Sequence, residues 1–260
     1  MLSFIGNSTK YDQGCGGARV PRDISIKFGD LVKASFLQRS DRFLVLCRLD
    51  HSKEIALAHL ADPGRLKELL VPGALLYLRF TDNPKRKTQW SVVLVMAPDG
   101  VTLVSLQPTL ANHLAAQAIE RGGLPELGDW RLKRPEYAHG NSRWDFLLEN
   151  AQGAQMLLEV KSCTLVNDGI AMFPDAVTKR GKRHVQELAQ LHASGGFFAA
   201  ILFVVQRADA RAFRPATHID PAFAEALRLA HSGGVKVAVY NSEVDVTAIT
   251  WGRELSIDFA

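Results

Sequence analysis

The chain has 260 residues, 47% hydrophobic and 22% charged, which suits a folded protein of one large or two modest domains with a sizeable core. Its net charge of +4 is compatible with a polyanionic partner without specifying one. Cys15, Cys47 and Cys163 are too scattered for a disulfide framework, and no Cys-x-x-Cys or Cys/His cluster offers a zinc site, so reduced thiols and a cytoplasmic location are expected.

The opening "MLSFIGNSTKYDQGCGGARVPRD" lacks the basic and apolar regions of a signal peptide, and no later stretch approaches the about eighteen apolar residues of a membrane span. Neither export nor a membrane partner is expected, and residues 1–25 read as a flexible N-terminal extension. From 26 to 107 short apolar runs alternate with turns: "LVKASFL", "FLVLCRL", "EIALAHL", "ALLYLRF", "WSVVLVM" and "VTLVSL". One helix is expected among them, capped by Asp62, with Pro63 in its first turn and Pro72-Gly73 as its stop. Strands interrupted by one short helix suggest a small barrel of the oligonucleotide-binding (OB) type, a fold that often accepts single-stranded nucleic acid.

A second domain is expected over 108–260. "TLANHLAAQAIER" has helical spacing and Gly122-Gly123 stops it. Strands are expected near 130–138, 143–149 and 155–164, then a helix near 177–193, the apolar strand "FFAAILFVV", the helix "PAFAEALRLAHS" and the strand "VKVAVY". An initial hairpin followed by alternating strands and helices implies a mixed sheet with helices on its faces, an α/β (α+β) class.

Within this domain "LLEVKS" places Glu159 and Lys161 on one side of a strand and Leu158 and Val160 on the other. If the hairpin turn centres near Gln152, antiparallel pairing sets Asp145 opposite Glu159, with Cβ atoms roughly 5 Å apart. Two carboxylates between apolar rows are costly unless a proton or cation sits between them, and an oxygen-only set favours Mg²⁺ or Mn²⁺. Lys161 could orient a water or steady charge on a phosphate, and Glu136 lies just upstream as another acid. The competing reading is a solvated sheet face on which Glu159 and Lys161 are an ordinary acid and base two apart.

Basic residues crowd at "NPKRK" (83–87), "RLKR" (131–134) and "TKRGKRH" (178–184). In the last, Lys179, Lys182 and Arg183 fall in the early turns of a helix, where free N–H groups favour anions; the alternative is an amphipathic helix with a charged outside. His184 is read either as a proton carrier or as structural, and His59 either as a core residue or as part of a patch with Arg65 and Lys67. No helix-turn-helix, Walker loop or dinucleotide fingerprint is evident.

The stretches "RSDRFLV", "AHLADPGRLKELL", "EYAHGNSRWDFLLE", "LLEVKSCTL", "FPDAVTKRGKRHVQEL", "ILFVVQRADARAF" and "IDPAFAEALRLAHSGGVKVAVY" together resemble the sugar fermentation stimulation protein A family from about residue 26 onward. The resemblance implies an N-terminal OB-like barrel and a C-terminal nuclease-like domain of the PD-(D/E)XK type. It also implies non-specific DNA binding and a role in regulating sugar, particularly maltose, metabolism in bacteria. Carried over onto this chain, Asp145 matches the first metal-binding acid, Glu159 the second and Lys161 the motif lysine, with Glu136 as the acid often supplied earlier. Trp144 stands where the motif has Pro, and the literal Pro174-Asp175 follows the lysine rather than preceding it.

The expected function is therefore non-specific DNA binding with a Mg²⁺- or Mn²⁺-dependent phosphodiesterase site. Asp145, Glu159 and Glu136 would be the metal ligands, Asp145, Glu159 and Lys161 the catalytic groups, and Lys179, Arg180, Lys182, Arg183, Arg143 and Arg65 the phosphate contacts. The rival expectation is a DNA-binding regulator that keeps the fold without turnover. Whether RNA is also a partner, and the oligomeric state, are not legible in the sequence.

Overall fold

The computed structural model describes residues 24–259; the extension expected over 1–25 falls, up to residue 23, outside the described residues. The first strand, β1 (Ser25–Lys27), does not join the barrel. It pairs antiparallel with β16 (Ala248–Glu254), at the far end of the chain, so the barrel is strung between β1 and the rest of the second domain. Ile24 and Phe28, which flank β1, are buried in that domain's core, and this burial pulls the segment away from the barrel.

The barrel contains β2 (Val32–Asp41), β3 (Leu44–Leu49), β4 (Ile55–His59), β5 (Leu75–Phe80), β6 (Trp90–Met96) and β7 (Leu103–Ser105), ordered β4-β3-β2-β5-β6-β7. Parallel pairing of Ala58 with Trp90 and His59 with Ser91 joins β4 to β6 and closes five strands on themselves, which removes two open edges. In β3, Val45, Cys47 and Leu49 alternate inward, and they share the barrel core with Phe36, Leu76, Leu78 and Val92. Burial pushes the Cys47 thiol up to about 11, so its place there is packing rather than reactivity.

The helix expected from Asp62 does not form. Asp62 Oδ1 accepts from Gly64 N at 2.7 Å, and the Arg39 guanidinium donates to the carbonyls of Gly64 and Arg65 at 2.6 and 2.9 Å. These bonds claim backbone groups that a helix would need, Leu66 takes φ +50°, and a single turn closed by Leu70 N on Leu66 O at 2.8 Å is what remains.

The second domain has a seven-stranded mixed sheet. Its strands are β8 (Arg131–His139), β9 (Ser142–Glu149), β10 (Gln155–Cys163), β13 (Phe198–Val205) and β15 (Lys236–Val244), with β16 and β1, in the order β1-β16-β15-β13-β10-β9-β8. β10, β13 and β15 run parallel at the centre. A four-stranded second sheet, not foreseen in the sequence, orders β11 (Val166–Asn167), β12 (Ile170–Phe173), β14 (Ala212–Pro215) and β17 (Ser256–Ile257) as β11-β12-β14-β17.

β13 shows why the central strand reads as one apolar run: it is buried on both faces. Ala200, Leu202 and Val204 pack with Leu114, Ala115 and Ala118 of α1 (Thr109–Glu120) and with Val93 and Leu94 of the barrel. Ile201, Phe203 and Val205 pack with Val185 and Leu188 of α2 (Lys179–Ala193) and with Phe223 and Leu227 of α3 (Pro221–Ser232). Asp220 ties the two helices on that face, because its side chain accepts from Phe223 N at 3.0 Å to cap α3 and from Thr178 N at 2.8 Å where α2 begins.

Candidate active site and nucleic-acid interface

β10 carries the site because its apolar alternation is broken at Glu159. Leu157 belongs to the core layer under α2 and α3, and Glu159, two residues on, points the same way and is likewise buried. The β9–β10 ladder runs from Gln155↔Glu149 to Leu158↔Phe146 and stops there, one pair short of Glu159 and Asp145. At that point the Asp145 carboxylate replaces the ladder: its Oδ2 accepts from Val160 N at 2.7 Å and its Oδ1 from Asn112 Nδ2 of α1, also at 2.7 Å.

Glu159 Oε1 is met by two groups. Lys161 Nζ donates to it, and His184 Nδ1, on the first turns of α2, lies 2.9 Å away. An ionised carboxylate only accepts, so Nδ1 carries the proton and Nε2 is the acceptor facing Arg180 Nε at 3.5 Å. The His184 ring is buried against Trp144 at 5.6 Å between centroids.

The two acids are driven apart electrostatically. Burial pushes Asp145 above the usual carboxylate range and the charge of Glu159 adds to it, partly offset by the bonds from Val160 and Asn112. Burial also pushes Glu159 up, but the hydrogen bond from His184 and the ammonium of Lys161 outweigh it, and Glu159 ends below its ordinary value. The result is a carboxylate held ionised beside one whose ionisation is resisted, a pattern typical of sites where charge is to be handled.

Glu136 stands apart. Pro135 pairs with Phe146 and Tyr137 with Trp144, so Glu136 is level with Asp145 on the neighbouring strand. Its backbone takes φ +49°, however, and its exposed carboxylate meets Arg143 Nη1 at 3.2 Å. Among the described residues no three His, Cys, Asp or Glu side chains gather as a ready metal cluster.

The basic residues of α2 sit at its open end. Thr178 caps the helix by accepting from Gly181 N at 3.0 Å, and Lys179, Arg180 and Arg183 are exposed while Lys182 is half-buried. Arg183 Nε is 3.5 Å from Glu187 Oε1, whose other oxygen takes the Ser142 hydroxyl. Arg65, in the barrel, is brought beside this end because its N–H donates to Asp175 Oδ2 at 2.6 Å, three residues before Thr178. Arg143 is exposed on β9 beside Glu136. His59, at the end of β4, is half-buried.

Sequence reasoning missed Asn112, an amide on the flank of an Ala/Leu stripe that carries no signal until α1 is seen packed on the sheet with this amide at Asp145. It also left open the position of His184, which only the packing of α2 on β10 brings to Glu159.

Residues 37–105 match the family model described as SfsA N-terminal OB domain, and residues 109–248 match that described as sugar fermentation stimulation protein RE domain. The chain belongs to the sugar fermentation stimulation protein family. Curated relatives described as sugar fermentation stimulation protein homologs include one from Moorella thermoacetica, 42% identical over 222 residues, covering 85% of this chain and 94% of the relative. Another, from Methanothermobacter thermautotrophicus, is 41% identical over 215 residues, covering 83% of this chain and 87% of its own. Among solved structures, that of Pyrococcus furiosus SfsA in complex with Ca²⁺ superposes with a TM-score of 0.80 at 29% identity, covering 90% of this chain and 98% of that one. Family membership gives the architecture as an OB barrel followed by the family's RE domain, here a mixed-sheet domain. No helix among the described residues is long and apolar enough to cross a membrane.

Proposed function

We propose that this chain binds DNA non-specifically through its phosphates and that the end of β10 is a Mg²⁺- or Mn²⁺-dependent phosphodiesterase site. The observation that carries this reading is the meeting of the Asp145 and Glu159 carboxylates with the Lys161 ammonium where the β9–β10 ladder ends. The donor set fits a hard dication: it is all oxygen, and a cation between the two acids would offset the burial that raises Asp145 and the repulsion from Glu159 that adds to it. That a relative of the same architecture is described in complex with Ca²⁺, an ion with the same preference for oxygen, supports the fit.

Asp145 and Glu159 would hold the ion, and Glu136 would join them only by leaving Arg143. When bound, the ion would supply charge neutralisation for the phosphoryl group under attack. Asn112 and Val160 N fix the Asp145 carboxylate, and His184 fixes Glu159. Lys161, once released from Glu159, would present its ammonium to the developing phosphate charge and orient the attacking water. Lys179, Arg180, Lys182 and Arg183, at the α2 N-terminus, would seat backbone phosphates, with Arg65 and Arg143 as further contacts.

A second reading has its own support. Lys161 and His184 both converge on Glu159 Oε1, a closed ion-pair arrangement, and Glu136 is engaged elsewhere; a DNA-binding regulator of sugar (maltose) metabolism without turnover accounts for that arrangement. Incubating the protein with single- and double-stranded DNA and RNA under EDTA, Mg²⁺ or Mn²⁺, beside Asp145→Ala and Lys161→Ala, separates the two. Metal-dependent products that vanish in both variants establish the nuclease. Binding without products under any metal leaves the regulator, and cleavage unchanged in both variants removes the site assignment.

A further inference from the structure

The corner where the barrel meets α2 presents one aromatic ring to solvent on a braced turn. Asp41 Oδ1 accepts from Phe43 N at 2.7 Å, and Phe43 O accepts from Leu60 N at 2.8 Å. Arg39 crosses beneath, donating to Arg42 O at 2.6 Å as well as to Gly64 O and Arg65 O, and Arg42 Nε reaches Pro63 O at 3.4 Å. Gly64 lets this corner close on the second domain, because a Cβ there would collide with the Asp175 carboxylate.

Phe43 is 43% exposed at this corner. The other two exposed phenylalanines among the described residues, Phe80 at 48% and Phe198 at 49%, each have an aromatic neighbour and no cation at the ring: Phe80 packs edge-on against Trp90 and Phe198 lies 5.3 Å from Trp130. Over one face of the Phe43 ring lies instead the Arg42 guanidinium, 5.4 Å from its centroid. An exposed ring on a mobile loop could fold back onto apolar surface; on a turn fixed by this many bonds it stands with a cation over one face and the other face left for a nucleobase, a combination that stacks a base and attracts its phosphate.

The ring is also connected to the site. From Glu159 the chain of interactions runs to His184, from His184 to Arg180, along the basic first turns of α2 to Thr178 and Asp175, from Asp175 to Arg65, and from Arg65 through Arg39 to Arg42. Arg42, Arg65, Lys179, Arg180 and Arg183 leave their charges towards solvent along this path and outnumber the carboxylates of Asp41, Asp62 and Asp175 among them, of which Asp62 is buried. The surface beside the site is thus positive and ends in an aromatic plate.

We propose that Phe43 is a stacking platform for a base of an unpaired DNA strand that leaves the Glu159–Lys161 site along α2, so that the substrate carries a single-stranded segment. The inference rests on the DNA-binding reading above and deepens it. A duplex hides its base faces in its own stack; only an unpaired strand can offer one to the ring.

The test is anisotropy of a fluorescein-labelled oligothymidylate and of a blunt duplex with the full chain in EDTA, comparing wild type, Phe43→Ala and Phe43→Trp, each checked for an unchanged melting temperature. Phe43→Ala should weaken single-strand binding about 5- to 100-fold, Phe43→Trp should restore it, and duplex affinity should stay within about twofold. If wild type binds the oligothymidylate and Phe43→Ala binds it equally well, the platform is refuted while DNA binding stands. Equal losses on strand and duplex would refute the single-strand assignment. An RNA oligomer bound far more tightly than DNA with the same Phe43 dependence would refute DNA as the occupant. If wild type binds neither strand nor duplex, the DNA-binding reading itself falls and takes the platform with it.

Discussion

Asp62 offers a test of how the barrel's corner is held. It is buried, and burial pushes its carboxyl from 3.8 to about 6, with the charge of Asp175 adding to the rise and Gly64 N and Arg39 opposing it. An acid whose folded value lies above its unfolded value stabilises the fold fully below the unfolded value, and that contribution is lost as pH rises through the folded one. A rise from 3.8 to about 6 corresponds to about 3 kcal/mol at pH 7.5 and about 1 kcal/mol at pH 4.5. Asp62→Asn keeps an acceptor for Gly64 N and carries no charge at any of these pH values. The variant should therefore be more stable than wild type at pH 7.5, and its advantage should shrink by about 2 kcal/mol at pH 4.5. Urea midpoints and slopes for both proteins at the two pH values measure this. A stability difference that is the same at both would refute the argument that Asp62 is ionised against its environment.

Two further outcomes follow from the site and its interface. Asn112→Ala deletes a bond to Asp145 Oδ1 without touching the carboxylates; metal-dependent cleavage should fall about 10- to 100-fold, read as initial rates with melting temperature as the folding control. Replacing Lys179 and Arg183 by Gln should weaken DNA binding uniformly across sequences and reduce the slope of log K against log salt by about 1 for each phosphate no longer neutralised, measured by anisotropy over a salt series; an unchanged slope would place the phosphates elsewhere.

Most strands of the barrel and the central elements of the second domain were legible because their signals are local. β3 alternates, β13 is apolar throughout, and α3 has an Asp cap with Pro in its first turn. What failed was decided by distant partners. Residues 62–71 carry a cap, a proline and helix formers, yet the guanidinium of Arg39, from another strand, takes the carbonyls that a helix needs. The short strands β11, β12, β14 and β17 have too few residues for any period to show. At the site, the spacing of Asp145, Glu159 and Lys161 was enough to bring the three into one neighbourhood. Where the ladder would stop, and which residues of α1 and α2 would reach it, depends on how the helices cross the sheet.

The pairing of β1 with β16 gives the barrel a two-point attachment: the chain leaves the second domain's sheet to build it and then returns. A clean cut after residue 107 would not liberate the downstream domain intact, since it would strip the outermost strand and bare the main-chain groups of Ala248–Thr250 as an adhesive edge. During synthesis the same arrangement makes Ser25–Lys27 wait, unpaired, until nearly the whole polypeptide has emerged, so the long sheet can be completed only after the barrel between its outer strands has been made.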